Sequence, residues 1–156
     1  MPKVTAAAAL STLLLTAAPA DAKTFRGKTN QGRTASLVTG ADGVPTRVRV
    51  LWRAPCKQPG YRATGGTRFQ APFTSVNADV VTDTNKTYRV RLKGGLRGRI
   101  TTNLVVNRSG DSWVGTLGVR ELFSRRGRVI DVCEVKRVRF TLRAEIAWRG
   151  WPASSP

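Results

Sequence analysis

The sequence predicts an all-β protein, a single antiparallel β-sandwich or jelly-roll-like barrel of about 8 to 10 strands with one disulfide. Apolar residues alternate with polar ones along most of the chain, and this period of two is typical of half-buried strands. After residue 22 no stretch shows the helical period, and clusters of Gly, Asn and Asp separate the alternating runs. Together these patterns favour strands joined by turns over any helical architecture.

The longest alternating run extends from Val138 to Trp148 and predicts a strand with one dry face. Shorter alternating runs predict further strands at Val44–Trp52, Tyr88–Leu92, Ile100–Val106, Trp113–Val119 and Val129–Val135. The apolar phase switches between Val135 and Val138, which predicts a bulge or a bend. The Pro- and Gly-containing stretch from Ala54 to Gly66 predicts a long loop. The alternating positions place Trp52, Trp113 and Trp148 in the core.

The first 22 residues are typical of a cleavable signal peptide. Lys3 precedes an apolar run from Val4 to Ala17, and Ala20-Asp21-Ala22 is a small-residue cleavage site. The run of about 14 residues is shorter than the roughly 20 that span a bilayer, so we predict no transmembrane segment. We therefore expect a secreted, extracellular protein, with association with the cell wall as an alternative. The signal peptide is followed by a predicted β domain at 23–151 and a disordered tail at 152–156.

The two cysteines of the chain are predicted to form a disulfide. Cys56 and Cys133 have no other cysteine to pair with, and an oxidising compartment favours pairing. A reactive thiol is the alternative, but the chain has no His to act as its base.

The charge balance points to anionic partners. Lys and Arg number 27 against 9 acidic residues, which gives a net charge of +18. Such an excess attracts polyanions, among them phosphate-bearing wall polymers, anionic lipid, acidic polysaccharide and nucleic acid. The alternative is that a GC-rich genome encodes many Arg, Ala, Gly and Val codons, in which case the charge reflects composition alone.

An Arg-Val-Arg-apolar pattern occurs three times on predicted strands. Each copy places two arginines on one strand face, and neighbouring copies would form a grid suited to bidentate phosphate or carboxylate binding. The predicted anion-binding residues are Arg47, Arg49, Arg89, Arg91, Arg137 and Arg139. We expect at least two of the three strands to share a sheet. The alternative is a set of ordinary solvated faces on separate strands.

No catalytic residue, metal site or cofactor is predicted. The absence of His removes most general-base triads and most zinc sites. One alternative is a carbohydrate-active enzyme whose carboxylates converge from distant strands, with candidates Asp79, Asp131, Glu134 and Glu145. Another is a neutral-glycan-binding module that uses Trp151 and Tyr61. The favoured function is a non-catalytic exported protein that binds anionic polymers of the envelope or surroundings.

Several short segments carry a resemblance. They are Trp52-Arg53-Ala54-Pro55-Cys56, Thr67-Arg68-Phe69, the stretch from Gly94 to Ile100, and the late Cys133. In this layout the chain resembles small exported β-rich proteins of high-GC Gram-positive bacteria, a group for which we know of no established activity. The resemblance implies export, a β fold and a disulfide, and it carries no catalytic or binding residue.

Overall fold

The computed structural model describes residues 22–145 of the chain. The predicted signal peptide up to residue 21, the end of the last predicted strand at residues 146–148, Trp151 and the tail at 152–156 lie outside the described residues. Residues 22–145 contain no α-helix, and their one helical element is a single 3₁₀ turn at Lys93–Gly95. Within this range no helix is long and apolar enough to cross a bilayer.

Nine strands form one antiparallel sheet. They are β1 (Thr24–Thr29), β2 (Thr34–Thr39), β3 (Pro45–Pro55), β4 (Arg62–Gln70), β5 (Ser75–Val76), β6 (Val80–Arg91), β7 (Leu96–Ser109), β8 (Ser112–Arg125) and β9 (Arg128–Ala144). Their order across the sheet is β4-β3-β2-β1-β9-β8-β7-β6-β5. The all-β antiparallel prediction is confirmed, and the strand number falls within the predicted range.

The sheet consists of two meanders joined at a single strand pair. Strands β1 to β4 follow one another through hairpins, as do β5 to β9, and β9 pairs with β1 to join the two halves. Short turns make the hairpins possible: Ser109 lies opposite Ser112, and Gly110 between them has a φ of 57°, which favours glycine.

The sheet coils so that the inner faces of its two halves share one core. Side chains from both halves belong to a single buried cluster, and β3 approaches β8 and β9 although two or more strands separate them in the order. With no helix in residues 22–145 to cover them, these apolar faces are buried against each other. Trp52 and Trp113 are both buried there, as predicted, whereas Trp148 lies outside the described residues.

The predicted loop from Ala54 to Gly66 is too long at both ends, since β3 continues to Pro55. The irregular segment covers only Cys56 to Tyr61, because β4 begins at Arg62 and runs through Gly65 and Gly66. Gly65 lies directly opposite Trp52, and a Cβ on it would be 2.7 Å from the indole ring. The glycine therefore leaves room for a buried tryptophan within a strand, which is why a Gly pair does not end the strand here.

Bulges adjust the long strands, and two of them lie where the sequence pattern changes. In β9 the residues Lys136 and Arg137 both face Gly118 of β8, so the predicted switch of apolar phase before Val138 is confirmed as a bulge. In β6 a register shift occurs around Asn85, which has a positive φ and whose backbone N–H donates to Asn103 Oδ1 at 2.9 Å. The sequence pattern there predicts a turn, and the structure places a bulge inside one strand instead.

Cys56 and Cys133 form the predicted disulfide. The two residues face each other at the point where the end of β3 meets β9, and Lys57 N–H donates to Val132 O at 2.8 Å beside them. The bridge thus fastens the last turn of the first meander to the second meander.

Candidate anion-binding surface

All six predicted arginines are exposed, and their three strands lie in the one sheet. The expectation that at least two of the strands share a sheet is therefore confirmed. The strands are not neighbours, however: β2 and β1 separate β3 from β9, and β8 and β7 separate β9 from β6. The three motifs therefore do not form one grid, and each motif has other residues as its cross-strand neighbours.

The neighbours of the second motif are arginines on β7. Arg89 lies directly opposite Arg99, and Arg91 lies directly opposite Arg97. Residues opposite each other in an antiparallel pair share a face with Cβ atoms about 5 Å apart, so these four side chains form one group on the outer face. We call Arg89, Arg91, Arg97 and Arg99 the hairpin cluster, since the turn at Lys93–Gly95 joins their strands.

The turn beside the hairpin cluster adds further positive charge. Lys93 is exposed within it, and the Arg125 guanidinium reaches the turn from β8, 3.2 Å from where a Cβ on Gly94 would lie. Sequence reasoning missed the cross-strand arginines Arg97 and Arg99. The Gly94-Gly95 pair was the signal that could have found them, because a turn centred there sets the register that pairs them with β6.

The first motif has a smaller group of its own. Arg49 on β3 lies directly opposite Arg68 on β4, and Arg47 lies two residues away on the same face. We call Arg47, Arg49 and Arg68 the edge cluster, because β4 is the outermost strand at one end of the sheet. All three are exposed.

The third motif has no arginine opposite it. Arg137 belongs to the β9 bulge, and Arg139 faces Thr116 of β8. Arg139 lies at a shallow depression of about 490 Å³ on the sheet, lined also by Lys28, Asn107 and Val114. Its backbone is fixed, since its N–H donates to Asn30 Oδ1 at 3.0 Å and its carbonyl accepts from Asn30 N–H at 2.8 Å.

Carboxylates do not neutralise the two clusters. Among residues 22–145 the ion pairs within 4 Å are Arg26 with Glu145 at 3.2 Å and Lys86 with Asp83 at 3.7 Å. Neither pair includes a cluster arginine, and β3, β4 and β7 contain no acidic residue. Like charges directly opposite across strands are unfavourable, so each cluster raises the free energy of the folded protein unless an anion lies between its side chains.

The carboxylates that a hydrolase would use accept hydrogen bonds from the backbone, lie beside arginines, or are on different faces of the sheet. Asp131 Oδ1 accepts from Gln58 N–H at 3.2 Å and from Val132 N–H at 2.7 Å. Glu134 is exposed opposite Arg120 on the other face of β9, and Glu145 pairs with Arg26.

One group of possible metal ligands occurs in residues 22–145, formed by Asp131 and the two cysteines. Sulfur atoms joined in a disulfide do not supply the thiolates that bind zinc. This group therefore offers a single carboxylate and does not form a metal site.

Glu121 is the one buried carboxyl group with a clearly altered titration. It lies on the inner face opposite Cys133 and Ile100, and it has no ion-pair partner among the described residues. Burial raises the pKa of the Glu121 carboxyl above its ordinary value, because the charged form is poorly solvated there. The pKa of Tyr88 is also raised, first by burial and then by the negative charge of Asp83.

No family model, no curated protein and no solved structure matches this chain.

Proposed function

We propose that the protein is an exported, non-catalytic binder of anionic polymers, which it contacts through arginines on the outer face of the sheet. The hairpin cluster is the principal contact surface, and the edge cluster and Arg139 add to it. The ligands are polymers bearing phosphate or carboxylate groups in the cell envelope or outside the cell. The disulfide supports export, since such bonds persist in oxidising compartments.

The observation that carries the proposal is the pairing of Arg89 with Arg99 and of Arg91 with Arg97, with no carboxylate in ion-pair distance among residues 22–145. An isolated arrangement of this kind is electrostatically costly, and a bound anion removes the cost. Guanidinium groups also donate two parallel hydrogen bonds to phosphate or carboxylate, which makes paired arginines more favourable than scattered lysines.

A protective role is the main competing explanation. Beyond its short pairing with β5, β6 is an open edge of the sheet, and charged side chains on an open edge discourage strands of other molecules from adding to it. Under that explanation the arginines prevent aggregation, and the distance between opposed arginines is not adapted to hold an anion. Loss of arginines would then promote self-association and leave the affinity for polyanions governed by net charge.

The test compares two double variants that remove the same charge. R89Q/R99Q removes one directly opposed pair from the hairpin cluster. R62Q/R108Q removes two exposed arginines that lie outside both clusters and face Pro55 and Trp113 instead of another arginine. Binding to immobilised long-chain polyphosphate and to polygalacturonate is measured over a range of salt concentrations, because contacts with a polyanion weaken as salt rises.

We expect R89Q/R99Q to weaken binding to at least one polymer by about tenfold more than R62Q/R108Q, a difference of roughly 1.4 kcal/mol. The polymer that shows the larger difference identifies phosphate or carboxylate as the preferred group. Equal losses in the two variants on both polymers would mean that only net charge matters and would contradict the proposed site. Circular dichroism and thermal unfolding confirm that both variants fold.

A further inference from the structure

We infer that the protein is bivalent, holding two separate polyanion chains at once and thereby crosslinking them. The inference rests on the proposed function, because it assigns the hairpin cluster and the edge cluster to different chains. The two clusters are defined by directly opposed arginines, Arg89 with Arg99 in one and Arg49 with Arg68 in the other.

The clusters are far apart along the sheet. From β3 to β7 the order passes through β2, β1, β9 and β8, which is five steps between neighbouring strands. At roughly 4.8 Å per step, the path over the surface is about 24 Å. The screening length at physiological salt is about 8 Å, about a third of that path, so charges at the two clusters are largely screened from each other along the surface.

The clusters also face in different directions. They lie on the outer sides of the two halves of the sheet, whose inner sides pack against each other in one core. Val48 and Val50, which alternate with the β3 arginines, are fully buried, as are Leu104 and Val106 of β7. Because each half turns its apolar side inward, the arginines of the two halves point away from the shared core and away from each other.

The scaffold between the clusters is rigid enough to keep them apart. The β1–β9 pair joins the two halves through five consecutive register positions, and the Cys56–Cys133 disulfide fastens the end of β3 to β9. Binding of a polymer at one cluster therefore cannot draw the two halves of the sheet together so that the other cluster contacts the same stretch of polymer. The molecule is therefore a spacer with one arginine cluster on each side that no carboxylate among residues 22–145 neutralises. Arg26 and Arg143 also oppose each other on the strands between the clusters, but Glu145 lies 3.2 Å from Arg26. This arrangement favours one chain at each cluster over a single chain wrapped across both.

The test captures two chains in sequence. Surface-bound long-chain polyphosphate is saturated with the oxidised full-length protein and washed, and fluorescent soluble polyphosphate is then added at about 0.15 M salt, where screening separates the clusters. Three double variants are compared: R89Q/R99Q for the hairpin cluster, R49Q/R68Q for the edge cluster and R62Q/R108Q as the charge-matched control. Captured fluorescence is divided by the amount of protein on the surface.

We expect the wild-type protein and the control variant to capture the second chain. Each cluster variant should still bind the surface, but its captured fluorescence per bound protein should fall by at least about tenfold, which corresponds to 1.4 kcal/mol. Capture by either cluster variant at the level of the control would overturn bivalency. Wild-type protein that binds the surface and captures nothing overturns bivalency alone. Wild-type protein that fails to bind either polyphosphate or polygalacturonate overturns the proposed function as well.

Discussion

At the scale of single residues, Glu121 makes the stability of the fold depend on pH. Its pKa is raised by burial, so the folded protein holds the Glu121 proton more tightly than the unfolded chain does. Binding of this proton stabilises the folded state fully at pH values below the pKa of the Glu121 carboxyl in the unfolded chain, about 4.3. That stabilisation is lost as the pH rises through the higher pKa of the same carboxyl in the folded state. At neutral pH the native glutamate therefore destabilises the protein.

E121Q keeps the shape of the side chain and removes its charge. We expect the unfolding free energy of E121Q to exceed that of the wild type at about pH 7, and the difference to shrink toward about pH 4. Urea unfolding at the two pH values measures it. E134Q removes an equal charge from an exposed position and controls for the net charge of the protein. A gain by E121Q over E134Q that stays the same at both pH values would contradict the account.

At the scale of strand pairs, β3 and β4 pack through a tryptophan that fills the space over a glycine. A Cβ on Gly65 would meet the ring of Trp52, which is buried and donates its indole N–H to Thr67 Oγ1 at 3.0 Å. A Cβ on the next residue, Gly66, would meet only the end of the half-buried Leu51 side chain. The two glycines are adjacent in one strand, yet they differ in whether the opposing side chain can move.

G65A should therefore destabilise the protein by about 1–3 kcal/mol, the usual cost of adding a methyl group to a packed core. G66A should cost less than about 1 kcal/mol, because Leu51 can rotate and alanine restricts the unfolded chain more than glycine does. Denaturant unfolding of the two variants measures the difference. Equal costs would show that the Trp52 ring does not depend on the glycine beneath it.

The sequence predicts individual strands better than it predicts their neighbours. Alternation identifies strand faces, and the switch of phase before Val138 identifies a bulge, because burial acts residue by residue along a strand. The glycines of β4 make the sequence pattern predict a loop where the structure has a strand, because the reason for Gly65 is its tertiary contact with Trp52. The arginine motifs predict exposed strand faces, but the cross-strand partners Arg68, Arg97 and Arg99 depend on strand order and register that no local pattern contains.

At the scale of the whole molecule, the coiled sheet turns a basic composition into separated surfaces. Apolar faces of both meanders share one core, and the two clusters of opposed arginines lie on the outside at distant positions. A net charge of +18 would attract polyanions from any folded scaffold, so charge alone does not define a site. We propose instead that arginines placed opposite each other by strand register form the preferred contacts.

The most direct measurement of that claim is an NMR titration of the oxidised protein with short-chain polyphosphate, following the arginine side-chain Nε–Hε signals. We predict that Arg89, Arg91, Arg97 and Arg99 shift first, at the lowest ratios of ligand to protein, whereas Arg62 and Arg108 respond only when ligand is in excess. Shifts that develop together and to similar extents over all exposed arginines would contradict it, because they would show diffuse attraction to net charge without a preferred surface.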